Sequence, residues 1–455
     1  MRPIEALDAC SLARGLNLNL GTRRPIGVSV TSDFCRSLRP IYLQLAVCCK
    51  GEKEQMRILI KQIAFMLILA AGLASSGDGK AAKNRAVYSV SELASIGGTI
   101  SRGNSINNDG WVSGFSFTAG NGRRHAALWI NGAAPIDLGT LAGPDGYSSV
   151  VWPVKNNNGI IAGISQTSIV DPNHENWSCS PFLYGVFTNI TGNTCVGFVW
   201  QNGEMRPLST LGGYNGFAAG ANNRGQVTGW TENTVHDPKC VAPQVLQFRP
   251  VIWGPAVDQI TELPLFPGDT SGSATAINDR GQAVGISGIC DQAVGRYSAA
   301  HAVLWENGKV TEIVGDNGGP YWDTPMAINN RGDVVGFVGI DGDIDANLLR
   351  AFRWTKTGGF QYLLPLDGDP FSEALGINNK GQVVGISCAF GGAPCRAVLW
   401  ESDSVTATNL NTIVPGYTGL LTTAQDINDA GQITGRANAA LGQRVTYVAT
   451  PVEDD

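Results

Sequence analysis

One short phrase, met seven times in 455 residues, narrows the possible folds more than any other feature of this chain. It reads Ile106-Asn-Asn-Asp-Gly110, Lys155-Asn-Asn-Asn-Gly159, Ala221-Asn-Asn-Arg-Gly225, Ile277-Asn-Asp-Arg-Gly281, Ile328-Asn-Asn-Arg-Gly332, Ile377-Asn-Asn-Lys-Gly381 and Ile427-Asn-Asp-Ala-Gly431. The final glycines lie 49, 66, 56, 51, 49 and 50 residues apart, and a second glycine follows each after four residues. Self-similarity at such a period marks a repeat architecture in which no single unit can bury its apolar face alone.

Each phrase reads as a hairpin. Asn and Asp close turns with their own side chains, and glycine accepts a positive φ without the cost of a Cβ. Alternating strands flank the turn, as in Ser273-Ala-Thr-Ala-Ile277 and Gln382-Val-Val-Gly-Ile-Ser387. A third strand ends in Trp, as in His125-Ala-Ala-Leu-Trp129, His301-Ala-Val-Leu-Trp305 and Ala397-Val-Leu-Trp400. A tight turn, Glu306-Asn-Gly-Lys309 in the fourth unit, leads to a fourth strand, Val310 to Val314. Four-stranded antiparallel meanders of about fifty residues have the length of propeller blades. The 58 glycines, and a charged fraction of 15% where about a quarter is usual, suit many short strands and turns.

The seventh unit has three strands (Ala424–Asn428, Gln432–Ala437, Arg444–Ala449) and no fourth, while a spare strand, Val87–Leu93, precedes the first. A ring closed by that strand has no free sheet edge. The expected fold is therefore all-β: one seven-bladed β-propeller of four-stranded antiparallel blades over 86–450, closed by an N-terminal strand, with 451–455 as a tail. An open β-solenoid is the structural alternative.

The set Ala-x-x-Ile-Asn-x-x-Gly-x-Val-x-Gly, then His-Ala-x-Leu-Trp, then Leu-x-x-Leu-Gly-Gly resembles the HAF-type extracellular repeat family of bacteria. The best copies are 273–314 and 95–143, the second ending Leu138-Gly-Thr-Leu-Ala-Gly143. The resemblance covers about 87–450 and implies a secreted or cell-surface protein, with no particular reaction. Some members of that family end in a membrane sorting tail. This chain ends Thr450-Pro-Val-Glu-Asp-Asp455 without one, so a free product with no stable membrane anchor is expected.

The N-terminal region fits export. After Met56 come Arg57, Lys61 and an apolar run, Ile63 to Ala74, followed by Ser75-Ser-Gly77. That is the layout of a signal peptide, expected over 56–82, and the run is too short for a spanning helix. Residues 1–55 carry no hydrophobic periodicity and read as a start-site artefact or a disordered extension. The expected location is secreted, extracellular or periplasmic. From 81 onward there are 21 Lys and Arg against 32 Asp and Glu, a balance that repels phosphate and excludes nucleic acid as a partner. A monomer is expected.

Six cysteines follow position 81, an even count that reads as disulfides behind a signal peptide. Cys388 and Cys395 flank a short hairpin loop, and Cys179 and Cys195 flank the long insertion of the second unit. Cys240 and Cys290 remain, joining loops of neighbouring units. The absence of a Cys-x-x-Cys pair argues against zinc.

Loops between the second and third strands vary in length and share a face with the connections between units. Variable loops on a rigid scaffold are where binding residues gather. The connections supply carboxylates and aromatics for a glycan or protein ligand: Asp145, Tyr147, Tyr214, Asp269, Asp316, Tyr321, Trp322, Asp367, Asp369 and Tyr417. The competing account is that the acids shape turns while the aromatics cover the core. Asp341, Asp343 and Asp345 alternate as hard-cation ligands do and could hold Ca²⁺, although the run lacks the glycine and distant Glu of an EF-hand loop. His125 and His301 occupy one repeat position, which suggests packing. Signatures such as His-Glu-x-x-His and Gly-x-Ser-x-Gly are absent. The leading expectation is a non-catalytic binding protein with no cofactor other than Ca²⁺. A carbohydrate-active hydrolase or lyase using acids at the channel mouth is the alternative, and a purely structural surface protein the third reading.

Overall fold

The computed structural model describes residues 86–175, 179–180, 183, 191–256, 258–291, 297–313, 322–339, 349–389 and 394–452. The signal-like segment, residues 1–55 and the tail from 453 lie outside them. Among the described residues the chain is all-β, with two single-turn 3₁₀ segments, Ala119–Asn121 and Leu410–Thr412, and no α-helix.

Five sheets of four antiparallel strands follow one another along the chain, within 148–207, 212–262, 271–312, 324–362 and 371–409. The first unit (Gly97–Ile106, Trp111–Thr118, Arg124–Ile130 and Ile136–Asp137) and the last (Leu420–Ile427, Ile433–Asn438 and Arg444–Val452) share an eight-stranded sheet, joined by one parallel bridge between Ile100 and Arg444. The eighth strand is Val87–Leu93. It lies antiparallel along the C-terminal strand over seven consecutive pairs, Val87 opposite Val452 to Leu93 opposite Thr446.

The two glycines of each repeat have different work. The glycine closing the phrase has φ between +69° and +90° in all seven copies, a region closed to most side chains. The inner glycine has none of this twist. A Cβ built on Gly114 would come within 2.0 Å of the Arg102 carbonyl oxygen, and one on Gly385 within 1.9 Å of the Glu373 oxygen. The other five are equally crowded, because a register shift beside these positions in six of the first strands presses the backbone inward.

In four of the units the Trp ending the third strand ties the unit to the connection that enters it. Trp129 Nε1 donates to the Ala94 carbonyl at 2.7 Å, Trp253 to Ser209, Trp305 to Pro264 and Trp400 to Leu364. A buried indole with its N–H satisfied adds packing area without an orphaned donor. Core clusters form between neighbouring sheets, one of them joining Ala276, Leu304, Ile328 and Phe352 of the fourth and fifth units.

The second unit departs from the expected pattern. Its first strand is only Ser148–Ser149, and residues 150–160 leave the ladder. Trp152-Pro153 interrupts it, since proline has no N–H to donate. The fourth strand of the fourth unit is Lys309–Glu312, shorter than the sequence pattern indicates.

Candidate functional site

The seven Asn turns converge on one end of the strands and are bonded to one another. The first Asn of each phrase folds its own turn: Asn378 Oδ1 accepts the Lys380 and Gln382 N–H groups at 3.1 and 3.0 Å. Its Nδ2 reaches the next turn, donating to Asn428 O at 3.0 Å. The second residue carries the chain of bonds onward. The Asn108 N–H donates to Asn157, Asn157 to Asn223, Asn223 to Asp279, Asp279 to Asn330, Asn330 to Asn379, Asn379 to Asp429, and Asp429 back to Asn108. Each bond meets a side-chain oxygen at 2.7–3.1 Å, so the series returns to its starting turn.

These turns and the Ile residues before them line a cavity of about 50 Å³, room for roughly four waters. Two residues there break the repeat. Lys155 stands where five units have Ile immediately before the first Asn, at Ile106, Ile277, Ile328, Ile377 and Ile427, and Asp426 stands where the other units have the uncharged Ser105, Val154, Gly220, Ala276, Ala327 and Gly376. Lys155 Nζ donates to Ile377 O and, at 2.9 Å, to Ile427 O, and pairs with Asp426 Oδ1 at 2.8 Å. Asp426 is wholly buried and also accepts the Ile106 and Ile427 N–H groups at 3.0 and 2.9 Å. Burial pushes its carboxyl up, and the Lys155 charge acts against that push. The Lys155 ammonium thus stands as a tethered cation among the turns that line the cavity.

At the other end of the strands lie the loops of unequal length. The three disulfides among the described residues are there: Cys179–Cys195 and Cys388–Cys395 each brace one loop, and Cys240–Cys290 joins the loops of the third and fourth units. Exposed apolar residues gather on the same side, among them Ile169, Val170, Val235, Val241, Ile289 and Tyr297. The Val241 N–H donates to Cys290 O, and the Ile289 N–H to Tyr297 O, so three of these adjoin the interloop disulfide.

The expected ligand residues divide into two groups. Asp269 and Asp369 are engaged within their own sheets. Asp269 Oδ2 accepts from Ser287 Oγ at 2.6 Å and meets His301 Nδ1 at 3.0 Å. Asp369 Oδ2 accepts from Ser387 Oγ at 2.6 Å, and its Oδ1 from Arg396. Tyr147 is buried beneath Arg123, whose Cζ lies 5.1 Å from the ring. Tyr417 is half-buried, and its hydroxyl donates to Glu92 at 2.8 Å. These four behave as the turn-shaping account requires. Asp145, Tyr214 and Asp367 are exposed, and Trp322 is half-buried with φ +65°. Asp316, Tyr321 and the Asp341, Asp343, Asp345 run lie outside the described residues. His125 and His301 share a repeat position but not an anchor, since His125 meets Asp137 of its own fourth strand at 2.9 Å.

A buried acid pair escapes sequence reading altogether. Gln244 Nε2 donates to Glu175 Oε2 at 2.7 Å and to Glu232 Oε1 at 3.1 Å, while Asn215 Nδ2 bridges Glu232 and Asp171. Burial, then the charge of Glu175, raises the Glu232 carboxyl well above its usual range. The pair pins the second unit's insertion against the third sheet, as Glu175 also accepts the Val245 N–H. Lys155 and Asp426 carried a sequence signal, their departure from the repeat; Glu175 and Glu232 carried none.

No family model matches the chain, and no curated relative does. Solved structures do. A puromycin hydrolase S511A mutant complexed with PGG is 11% identical with a TM-score of 0.41, over 76% of this chain and 49% of that one. YCF48 bound to D1 peptide is 11% identical with a TM-score of 0.39, over 81% and 98%. A protein of unknown function from Dyadobacter fermentans is 13% identical with a TM-score of 0.34, over 69% and 97%. This chain thus spans about half the length of the puromycin hydrolase.

Proposed function

We propose that this chain is a secreted, non-catalytic β-propeller that binds glycan or protein through its loop face. In this reading the units are seven blades, and Val87–Leu93 closes the ring as the outer strand of the last. The pairing of that strand with Arg444–Val452 and the returning series of turn bonds support it. Secretion is supported by the signal-like segment and by three disulfides, which persist in oxidising compartments. The HAF-type repeat resemblance belongs to the same proposal.

The observation that carries binding is the placement of all three disulfides in the variable loops. The opposite face holds its uniform turns with side-chain bonds and has no cross-links among the described residues. Cross-linked loops lose little further freedom when a ligand is engaged, and that is how preorganisation raises affinity. Among the described residues Asp269 and Asp369 are already spent on their own sheets, which weighs against the hydrolase reading.

The test is binding of the oxidised protein to a glycan array and to immobilised extracellular proteins, with Tyr214→Ala/Tyr297→Ala as the loop-face variant. Loss of hits in that variant is the expected result. Hits that survive it and disappear when exposed turn residues such as Asn108 and Asn223 are replaced would move the site to the other face.

A further inference from the structure

One rung of the innermost strands, on the loop side of the inner glycines, has an unusual set of side chains. Its members are Arg102, Ser273, Thr324, Glu373 and Thr423, paired across the ladder with Phe115, Ile286, Phe337, Ile386 and Arg436. Arg102 and Arg436 meet at the seam between the first and last units. Ser101, next to Arg102, accepts the N–H of Thr446, and Thr446 is the ladder partner of Arg436. Arg124 stands beside them: its Cζ lies 4.4 Å from the Phe115 ring centroid, and that of Arg102 lies 5.3 Å from the same centroid.

These guanidiniums gather on a body that is acidic overall, yet among the described residues neither Arg102 nor Arg436 forms an ion pair. Arg102 Nε is buried without a hydrogen-bond partner, and so are Ser273 Oγ and Thr324 Oγ1 on the same rung. Arg436 Nε has only a 3.5 Å contact with Thr422 Oγ1. Buried polar groups are ordinarily satisfied, so orphans at one height around an axis point to something that completes them. Burial, then the neighbouring charges of Arg436 and Arg124, press the Arg102 guanidinium down to about 9, and Glu373 acts against that shift.

We propose that Arg102 and Arg436, at the seam between the first and last units, bind the carboxylate of an acidic saccharide. Two planar forks suit a carboxylate, which each guanidinium can hold through paired N–H bonds. The orphaned hydroxyls of Ser273 and Thr324 suit the sugar hydroxyls that accompany a carboxylate in a uronic acid. The proposal rests on the loop-face binding reading and names the ligand chemistry within it.

The experiment is calorimetry on the full oxidised protein with four probes: glucuronate, an oligouronate, a neutral oligosaccharide of equal length and an acidic peptide. The oligouronate is expected to bind, more weakly at higher salt, and the neutral sugar not to compete. Arg102→Gln and Arg436→Gln are each expected to weaken it at least tenfold with thermal unfolding little changed. If Arg102→Gln fails to fold, Arg102→Lys keeps the charge, removes the fork, and should still lose several-fold. Glucuronate binding as tightly as the oligomer would make the site one for a free monosaccharide carboxylate. Oligouronate binding unchanged in both variants, preference for the acidic peptide, or no carboxylate bound would overturn the proposal. Neutral glycans bound through Tyr214 and Tyr297 in that event would leave the loop-face reading standing.

Discussion

The two faces of this molecule are held in opposite ways. The turn face repeats one solution seven times: an Asn that folds its turn and, in all units but the second, an Nδ2 that donates to the neighbouring turn. The loop face varies from unit to unit, and among the described residues the loops of the second, third, fourth and sixth units are braced by disulfides, with the Glu175–Glu232 pair added at the second unit's insertion. The contrast teaches that repetition here supports the frame, while exceptions mark where the frame has been specialised.

The sharpest way to break the contrast is at an exception lying inside the repetitive face. Lys155→Ile restores the repeat residue but leaves Asp426 buried without its cation, and a cost of about 3–5 kcal/mol is expected in denaturant unfolding. Adding Asp426→Ala should recover most of that loss, and failure to recover would mean that the pair does more than neutralise itself. On the loop face, Cys179→Ser/Cys195→Ser opens a link of 16 residues and should cost about 3 kcal/mol. Its expected signature is faster proteolysis within 171–192, with the turn face unaffected.

A pH series sharpens the comparison further. Burial raises Glu373 to about 7, against the pull of Arg102. The folded state therefore holds this proton more tightly than the unfolded chain. The stabilisation is complete below the unfolded value near 4.5 and is lost as pH rises through about 7. Thermal unfolding should fall by a few degrees between about pH 5 and 8, and Glu373→Gln should flatten that slope by about 2 kcal/mol. The smallest effect belongs to the outer series of turn bonds: Asn223→Ala removes the exposed side-chain bonds to the Asn157 N–H and to Asp279 Oδ2, keeps the backbone bond to Asp279, and should cost about 1 kcal/mol by the same assay.

The frame was largely legible in the sequence because its rules are local. A turn needing a positive φ shows itself as Gly, a backbone pressed onto a strand as another Gly, and an indole tying down a connection as a Trp at the end of the third strand. The strand Val87–Leu93 and the Cys240–Cys290 pair followed from counting what was left over, while the other two cysteine pairs followed from the loops they flank. The site was less legible. Asp269 and Asp369 look like free carboxylates until Ser287 and Ser387 are seen to reach them from another strand. Glu232 lies 57 residues from Glu175, and only the packing of two sheets brings them to one Gln. Arg102 and Arg436 are separated by almost the whole body and meet only at the seam.

That seam also sets an order of events in time. Val87–Leu93 is among the first parts of the body to be synthesised, and its partner Arg444–Val452 is among the last. Through nearly all of synthesis the early strand has no mate, and the last unit lacks an edge. The ladder between them spans a loop of more than 350 residues, and its closure must follow the local hairpins, which form quickly and cost little chain entropy. Loss of Arg444–Val452 would therefore leave Val87–Leu93 without its ladder and the bridge from Ile100 unmade, however well the earlier hairpins had formed.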